Sequence, residues 1–102
     1  MIVAFSISPS GGDETGGVGH AVAEAVRIVR ASGLPNETNA MFTNIEGDWD
    51  EVMAVIKGAV DVVAASSARA SLVLKADIRA GHSDMLRSKV AKVESLLEQP
   101  DV

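Results

Sequence analysis

Thr43-Asn44-Ile45-Glu46-Gly47-Asp48-Trp49-Asp50-Glu51-Val52 is the stretch on which the fold turns. Asp48 followed three residues later by Glu51 has capping-box spacing, in which two side chains take up orphan N–H groups where a helix begins. The stretch therefore reads as a strand end running through Gly47 directly into a helix. Asp48 and Glu51 have a structural duty in that reading. Glu46, a carboxylate at the strand's end, has none, and it is the first candidate for a functional side chain.

Working outward, Ile2 to Ser8 alternates, with Val3, Phe5 and Ile7 on one face and Ile2, Ala4, Ser6 and Ser8 on the other, as a strand buried by its odd positions requires. Pro9 stops it, and the glycine-rich run Ser10 to Gly17 reads as a loop. From Val18 the apolar residues Val18, Val22, Ala25 and Val29 recur at helical spacing, with Gly33 as the C-terminal cap and Pro35 preventing continuation. Glu37-Thr38 and Thr43 to Glu46 predict two short strands joined by a turn. Val52, Ile56, Ala59 and Val63 mark a second amphipathic helix. Ala70 to Ile78 predicts a last strand, with Leu72, Leu74, Ala76 and Ile78 inward. After Gly81, the residues Leu86, Val90, Val93 and Leu97 define a third helix, closed by Pro100.

The order strand, helix, strand, strand, helix, strand, with a terminal helix, is that of an α+β ferredoxin-like βαββαβ sandwich. Two helices cover one face of a four-stranded antiparallel sheet and leave the other face open. In that topology the first strand lies between the third and the fourth, so the ends of these two share one edge of the sheet. Glu46 ends one, and Asp77 and Arg79 end the other. A Glu46–Arg79 ion pair is accordingly an alternative to ligand recognition by Glu46.

Composition sets the outer limits. The 102 residues make one domain, 1–102, small enough that association with further copies is expected. The net charge of −5 opposes attraction to nucleic acid and to anionic membranes, both of which reward clustered cations. With no cysteine there is neither disulfide nor thiol chemistry, and the absence of a leader or a long apolar run points to the cytoplasm. Hydrophobic residues make up 47% of the chain but aromatic residues only 3%, so the core is aliphatic.

Several stretches taken together resemble the small thiamine-binding protein family. They are Ile2-Val3-Ala4, Val22-Ala23-Glu24-Ala25-Val26, Ser32-Gly33-Leu34, Thr43-x-Ile45-Glu46-Gly47, Trp49-Asp50-Glu51-Val52 and Lys75-x-Asp77-x-Arg79. The resemblance runs nearly end to end, and it implies a ferredoxin-like fold assembled as a dimer or tetramer. It also implies binding, without catalysis, of thiamine or its hydroxymethylpyrimidine part. The residues suit that chemistry. An aminopyrimidine offers an amine donor and ring-nitrogen acceptors to a glutamate such as Glu46 and a hydroxyl such as Thr43, and the thiazolium charge is favoured by an acidic site. Phe42 offers a ring to stack on a flat heterocycle, Ser6 a hydroxyl on the open face, and Arg79 a cation at the shared sheet edge.

The expected site is thus Ser6, Phe42, Thr43, Glu46 and Arg79, with thiamine or a related pyrimidine as ligand and no other cofactor. The alternative is a structural or regulatory homo-oligomer on the same fold without a retained ligand site. Other motifs carry less. The glycine-rich run lacks the Gly-Lys-Ser/Thr of a phosphate loop, and Asp13 and Glu14 would repel an anion. His20 and His82 lack metal-ligand spacing. Trp49 is expected to pack where the second helix meets the sheet.

Overall fold

The computed structural model describes residues 1–10 and 19–99. Strand β1 spans Ile2–Pro9, helix α1 Gly19–Ala31, strands β2 and β3 Asn36–Thr38 and Thr43–Glu46, helix α2 Trp49–Ala65, strand β4 Ala70–Asp77 and helix α3 Met85–Glu98. The sheet order is β2-β3-β1-β4, with every neighbouring pair antiparallel. This is the expected ferredoxin-like arrangement with its added terminal helix. The glycine-rich run from Gly11, the expected helix start at Val18 and the closing Pro100 lie outside the described residues.

Register fixes which side chains share a face. Val3 stands opposite Ile45 and Ala76, and Phe5 opposite Thr43 and Leu74, so all six belong to the helix-covered face. Ile2, Ala4 and Ser6 stand opposite Glu46 and Asp77, Asn44 and Lys75, and Val73, on the open face. The core joins Val3, Phe5, Ile7 and Ile45 of the sheet to Ala25 and Val29 of α1 and Val52, Ile56, Ala59 and Val63 of α2. A Cβ built on Gly58 would lie 3.4 Å from Ile28 Cγ2, so glycine there lets α1 and α2 approach closely.

Some expectations about packing change: Ile78, expected inward, lies beyond the end of β4 and is 65% exposed. Leu72 and Leu74 do point to the helix side, but they remain 41% and 37% exposed because the helices centre on β1 and leave the edge strand β4 partly uncovered. Trp49 is 56% exposed, on the outer side of the first turn of α2, instead of packing against the sheet.

Helix α3 begins after two left-handed turns of backbone, at Gly81 and Asp84. Its first residue, Met85, is buried, whereas Val90, Val93, Leu96 and Leu97 are more than half exposed. The Lys89 ammonium donates to the Asp77 carboxylate and ties the second turn of α3 to the end of β4.

Candidate functional site

Strands β1 and β3 differ in length by a factor of two, and that mismatch makes a cavity. β3 stops at Thr43, opposite Phe5, while β1 continues to Pro9 with β4 alone as its partner. The chain turns back early because Asn39 folds it. The Asn39 side-chain oxygen accepts the N–H groups of Met41 and Phe42, both at 2.9 Å, and the Asn39 N–H donates to the Phe42 carbonyl at 2.9 Å. An Asx-type turn of this kind satisfies the backbone locally, so it does not extend the ladder along β1.

The resulting cavity has a volume of about 200 Å³. Phe5 to Ser8 of β1 form its floor, Val22, Ala25 and Val26 of α1 one wall, and the turn from Thr38 to Thr43 the other. Thr43 is buried, and its hydroxyl lies 3.3 Å from that of Thr38. Phe42 is half-buried beside it. Three of the five expected site residues, Ser6, Phe42 and Thr43, therefore meet here, joined by Ser8, Thr38 and Asn39.

Glu46 and Arg79 do not join them. Glu46 lies three positions after Thr43, so a strand period of two sends their side chains to opposite faces. The Glu46 carboxylate is buried on the open-face side and accepts the N–H groups of Met85 at 2.7 Å and Leu86 at 3.0 Å. These are the first two N–H groups of α3, which no intrahelical carbonyl can satisfy. Ordinarily the preceding residue supplies the cap, but Asp84 sits at φ 55°, ψ 32° and its side chain makes no capping bond. An N-cap residue normally has extended backbone. Glu46 takes the place of that missing cap, and its charge lies at the positive end of the helix dipole.

Arg79 is exposed beyond the end of β4 and lines neither the Thr43 cavity nor the larger hollow of about 350 Å³ beside Glu46. No Glu46–Arg79 ion pair occurs among the described residues. The hollow beside Glu46 is bordered by Met1, Leu34, Gly47, Asp48, His82 and Asp84.

Sequence reasoning missed Thr38 and Asn39, and the signal was present. An asparagine between two short strands is an Asx-turn former, and a threonine paired across a tight turn from another shares its face.

The family's sequence profile, described as that of the thiamine-binding protein, matches residues 3–94. The chain belongs to the thiamine-binding protein family. Among its relatives in this family, the UPF0045 protein Mb1933 of Mycobacterium bovis is 55% identical over 102 residues, covering 99% of this chain and 98% of its own. A solved structure, the hypothetical protein MJ1052 of Methanocaldococcus jannascii, superposes with a TM-score of 0.82 at 30% identity, covering 91% of this chain and 94% of its own. A second is TM0486 of Thermotoga maritima, a candidate thiamine biosynthesis/salvage protein. It superposes with a TM-score of 0.75 over 90% of this chain and 96% of its own; at 24% identity the likeness is one of fold.

Proposed function

We propose that this chain is a non-enzymatic binding protein for thiamine or its hydroxymethylpyrimidine part, and that the ligand enters the cavity at the turn between β2 and β3. The observation that carries this reading is the cavity itself. It combines an apolar wall from α1, a half-buried aromatic at Phe42 and the paired hydroxyls of Thr38 and Thr43, an assortment that suits a flat heterocycle with a polar edge. Membership in the thiamine-binding protein family supports the ligand class, and the thiamine biosynthesis/salvage role ascribed to TM0486 of Thermotoga maritima is consistent with it. Among the described residues that line the cavity there are hydroxyls, an amide and apolar groups, a set suited to binding.

Glu46 enters this reading as the residue that fixes α3, and Arg79 as a surface cation outside the cavity. Self-association is part of the same proposal. The open sheet face carries Val73, which is 58% exposed, and α3 presents Val90, Val93 and Leu97 at 56–77% exposure, bare apolar side chains that a second copy would cover. A dimer or tetramer in the cytoplasm is the expected form, with neither nucleic acid nor membrane as partner. Among the described residues no helix is long and apolar enough to cross a membrane.

Calorimetric titration of thiamine and of 4-amino-5-hydroxymethyl-2-methylpyrimidine into the wild-type protein tests the proposal. Saturable heat with at least one of them is expected. Absence of heat with both would leave a structural homo-oligomer as the function of the fold.

A further inference from the structure

The cavity has a polar edge that no side chain supplies. Hydrogen-bonded and non-hydrogen-bonded pairs alternate along an antiparallel ladder. Met1 and Gly47 exchange both bonds, with N···O distances of 2.8 and 3.1 Å. Counting from that pair, Val3 with Ile45 and Phe5 with Thr43 are the next two hydrogen-bonded pairs, so the odd residues of β1 direct their main-chain groups toward β3. The even residues serve β4, and the Ser10 N–H donating to the Arg69 carbonyl at 2.8 Å follows the same alternation.

Ile7 is the next odd residue, and β3 has already ended. The position that would pair with it, Met41, has its N–H turned to the Asn39 side chain. Among the described residues the Ile7 N–H and C=O therefore face the cavity without a partner. Ile7 is only 7% exposed, so these groups are reached through the cavity alone, and main-chain groups so placed are nearly always paired with protein, water or ligand.

We infer that the Ile7 main chain is the specificity-determining contact for the ligand, reading a donor–acceptor edge of a single aminopyrimidine ring. This rests on the binding function proposed above and identifies which part of the ligand is gripped. A 4-aminopyrimidine carries an exocyclic N–H donor next to a ring-nitrogen acceptor. Ile7 presents the complement, a carbonyl acceptor and an N–H donor on one side of one residue, as it would to a paired strand. Size points the same way. A cavity of about 200 Å³ lies below the ~300–1,000 Å³ usual for drug-sized ligands, so one substituted ring fits and a second ring must lie outside. The hydroxyls of Thr43 and Thr38 then serve the remaining ring atoms, and Phe42 one face.

The experiment combines calorimetry with hydrogen exchange measured on ¹⁵N-labelled protein. The probes are 4-amino-5-hydroxymethyl-2-methylpyrimidine and its analogue lacking the amino group. The inference expects the Ile7 amide to move downfield and to exchange about tenfold more slowly at tenfold excess of ligand over Kd. The analogue should bind at least about tenfold more weakly, from loss of one hydrogen bond and an unpaired buried carbonyl. Heat from the aminopyrimidine with an unchanged Ile7 amide, or equal affinity for both pyrimidines, would overturn this inference and leave the binding function standing. An Ile7 amide already protected before any ligand is added would overturn it as well. Heat from neither thiamine nor the aminopyrimidine would remove the binding function and this inference together.

Discussion

Glu46 accepts the backbone N–H of Met85 at 2.7 Å across 39 positions of sequence, and this bond joins the first residue of α3 to the end of β3. A strand-end carboxylate here does the work of an N-cap for a helix that begins from left-handed backbone at Asp84. Two N–H groups, the buried one of Met85 and the half-buried one of Leu86, depend on it. Glu46→Ala is expected to lower stability by about 1.5–3 kcal/mol, the range for hydrogen bonds to a charged group. Glu46→Gln should fall in between, because one amide oxygen replaces two charged acceptors. Urea denaturation measures both, and wild-type stability for Glu46→Ala would refute the capping role. Pyrimidine affinity should change little in either variant.

The start of α2 makes a second, local cap. The Glu51 carboxylate accepts the Asp48 N–H at 3.3 Å within a capping box. Asp48→Ala is expected to lower stability by about 0.5–2 kcal/mol without touching the cavity at Thr43. Equal losses of stability and ligand affinity would mean that the two ends of β3 are not independent.

Thr43→Val keeps the volume and removes the hydroxyl, and with it the Thr38 contact. Ligand affinity should fall by about 0.5–1.5 kcal/mol, the net value of one neutral hydrogen bond. Phe42→Ala should weaken binding further by removing the aromatic face beside the cavity. Calorimetric titration with the aminopyrimidine decides, and unaltered affinity in both variants would move the ligand elsewhere on the protein.

Asp77 gives a pH dependence with a definite sign. The hydrogen bond from Lys89, with the Lys89 charge behind it, holds the Asp77 carboxyl below the ordinary aspartate range. A carboxyl lowered in the folded state adds stability above its unfolded value, and that contribution is lost as pH falls through the folded value. The attachment of α3 through Lys89 should therefore hold at neutral pH and weaken below about pH 4. Amide hydrogen exchange in α3, corrected for intrinsic rates, should rise relative to that of α2 over this range. Asp77→Asn should abolish the difference contributed by this pair, and identical pH profiles for the variant and the wild type would rule it out.

Self-association is expected through the bare apolar residues of α3 and the open sheet face. Sedimentation at micromolar concentration should report more than one chain, and Val93→Glu with Leu97→Glu should shift the protein toward monomer. These side chains are 56% and 77% exposed, so the double variant should fold normally. A wild-type monomer of 10.6 kDa would refute the expectation.

Much of the architecture was legible because its causes are local. Alternation in Ile2 to Ser8 buried Val3, Phe5 and Ile7, the helical spacing of Val52, Ile56, Ala59 and Val63 buried all four, and the Asp48–Glu51 spacing marked the start of α2. Of the candidate cavity, only some lining residues were legible in the chain. Ser6, Phe42 and Thr43 were named from residue chemistry and from the family resemblance, and the fold assembles them in one cavity. Glu46 stood out because it has no local duty, and the duty the fold gives it, holding the first N–H groups of α3, is a distant one.

The sequence by itself determined the order and type of the elements, the faces of β1 and α2, and membership in the family, since these rest on periodicity and on residues adjacent in the chain. Tertiary structure alone decided what Glu46 and Ile7 do. The N–H groups that Glu46 caps lie 39 and 40 positions away, and they need it only because Asp84 adopts left-handed backbone. The main-chain groups of Ile7 face a cavity only because an Asn39 turn ends β3 opposite Phe5. Both are consequences of where a partner strand or helix begins and stops, which short-range patterns in a chain do not encode.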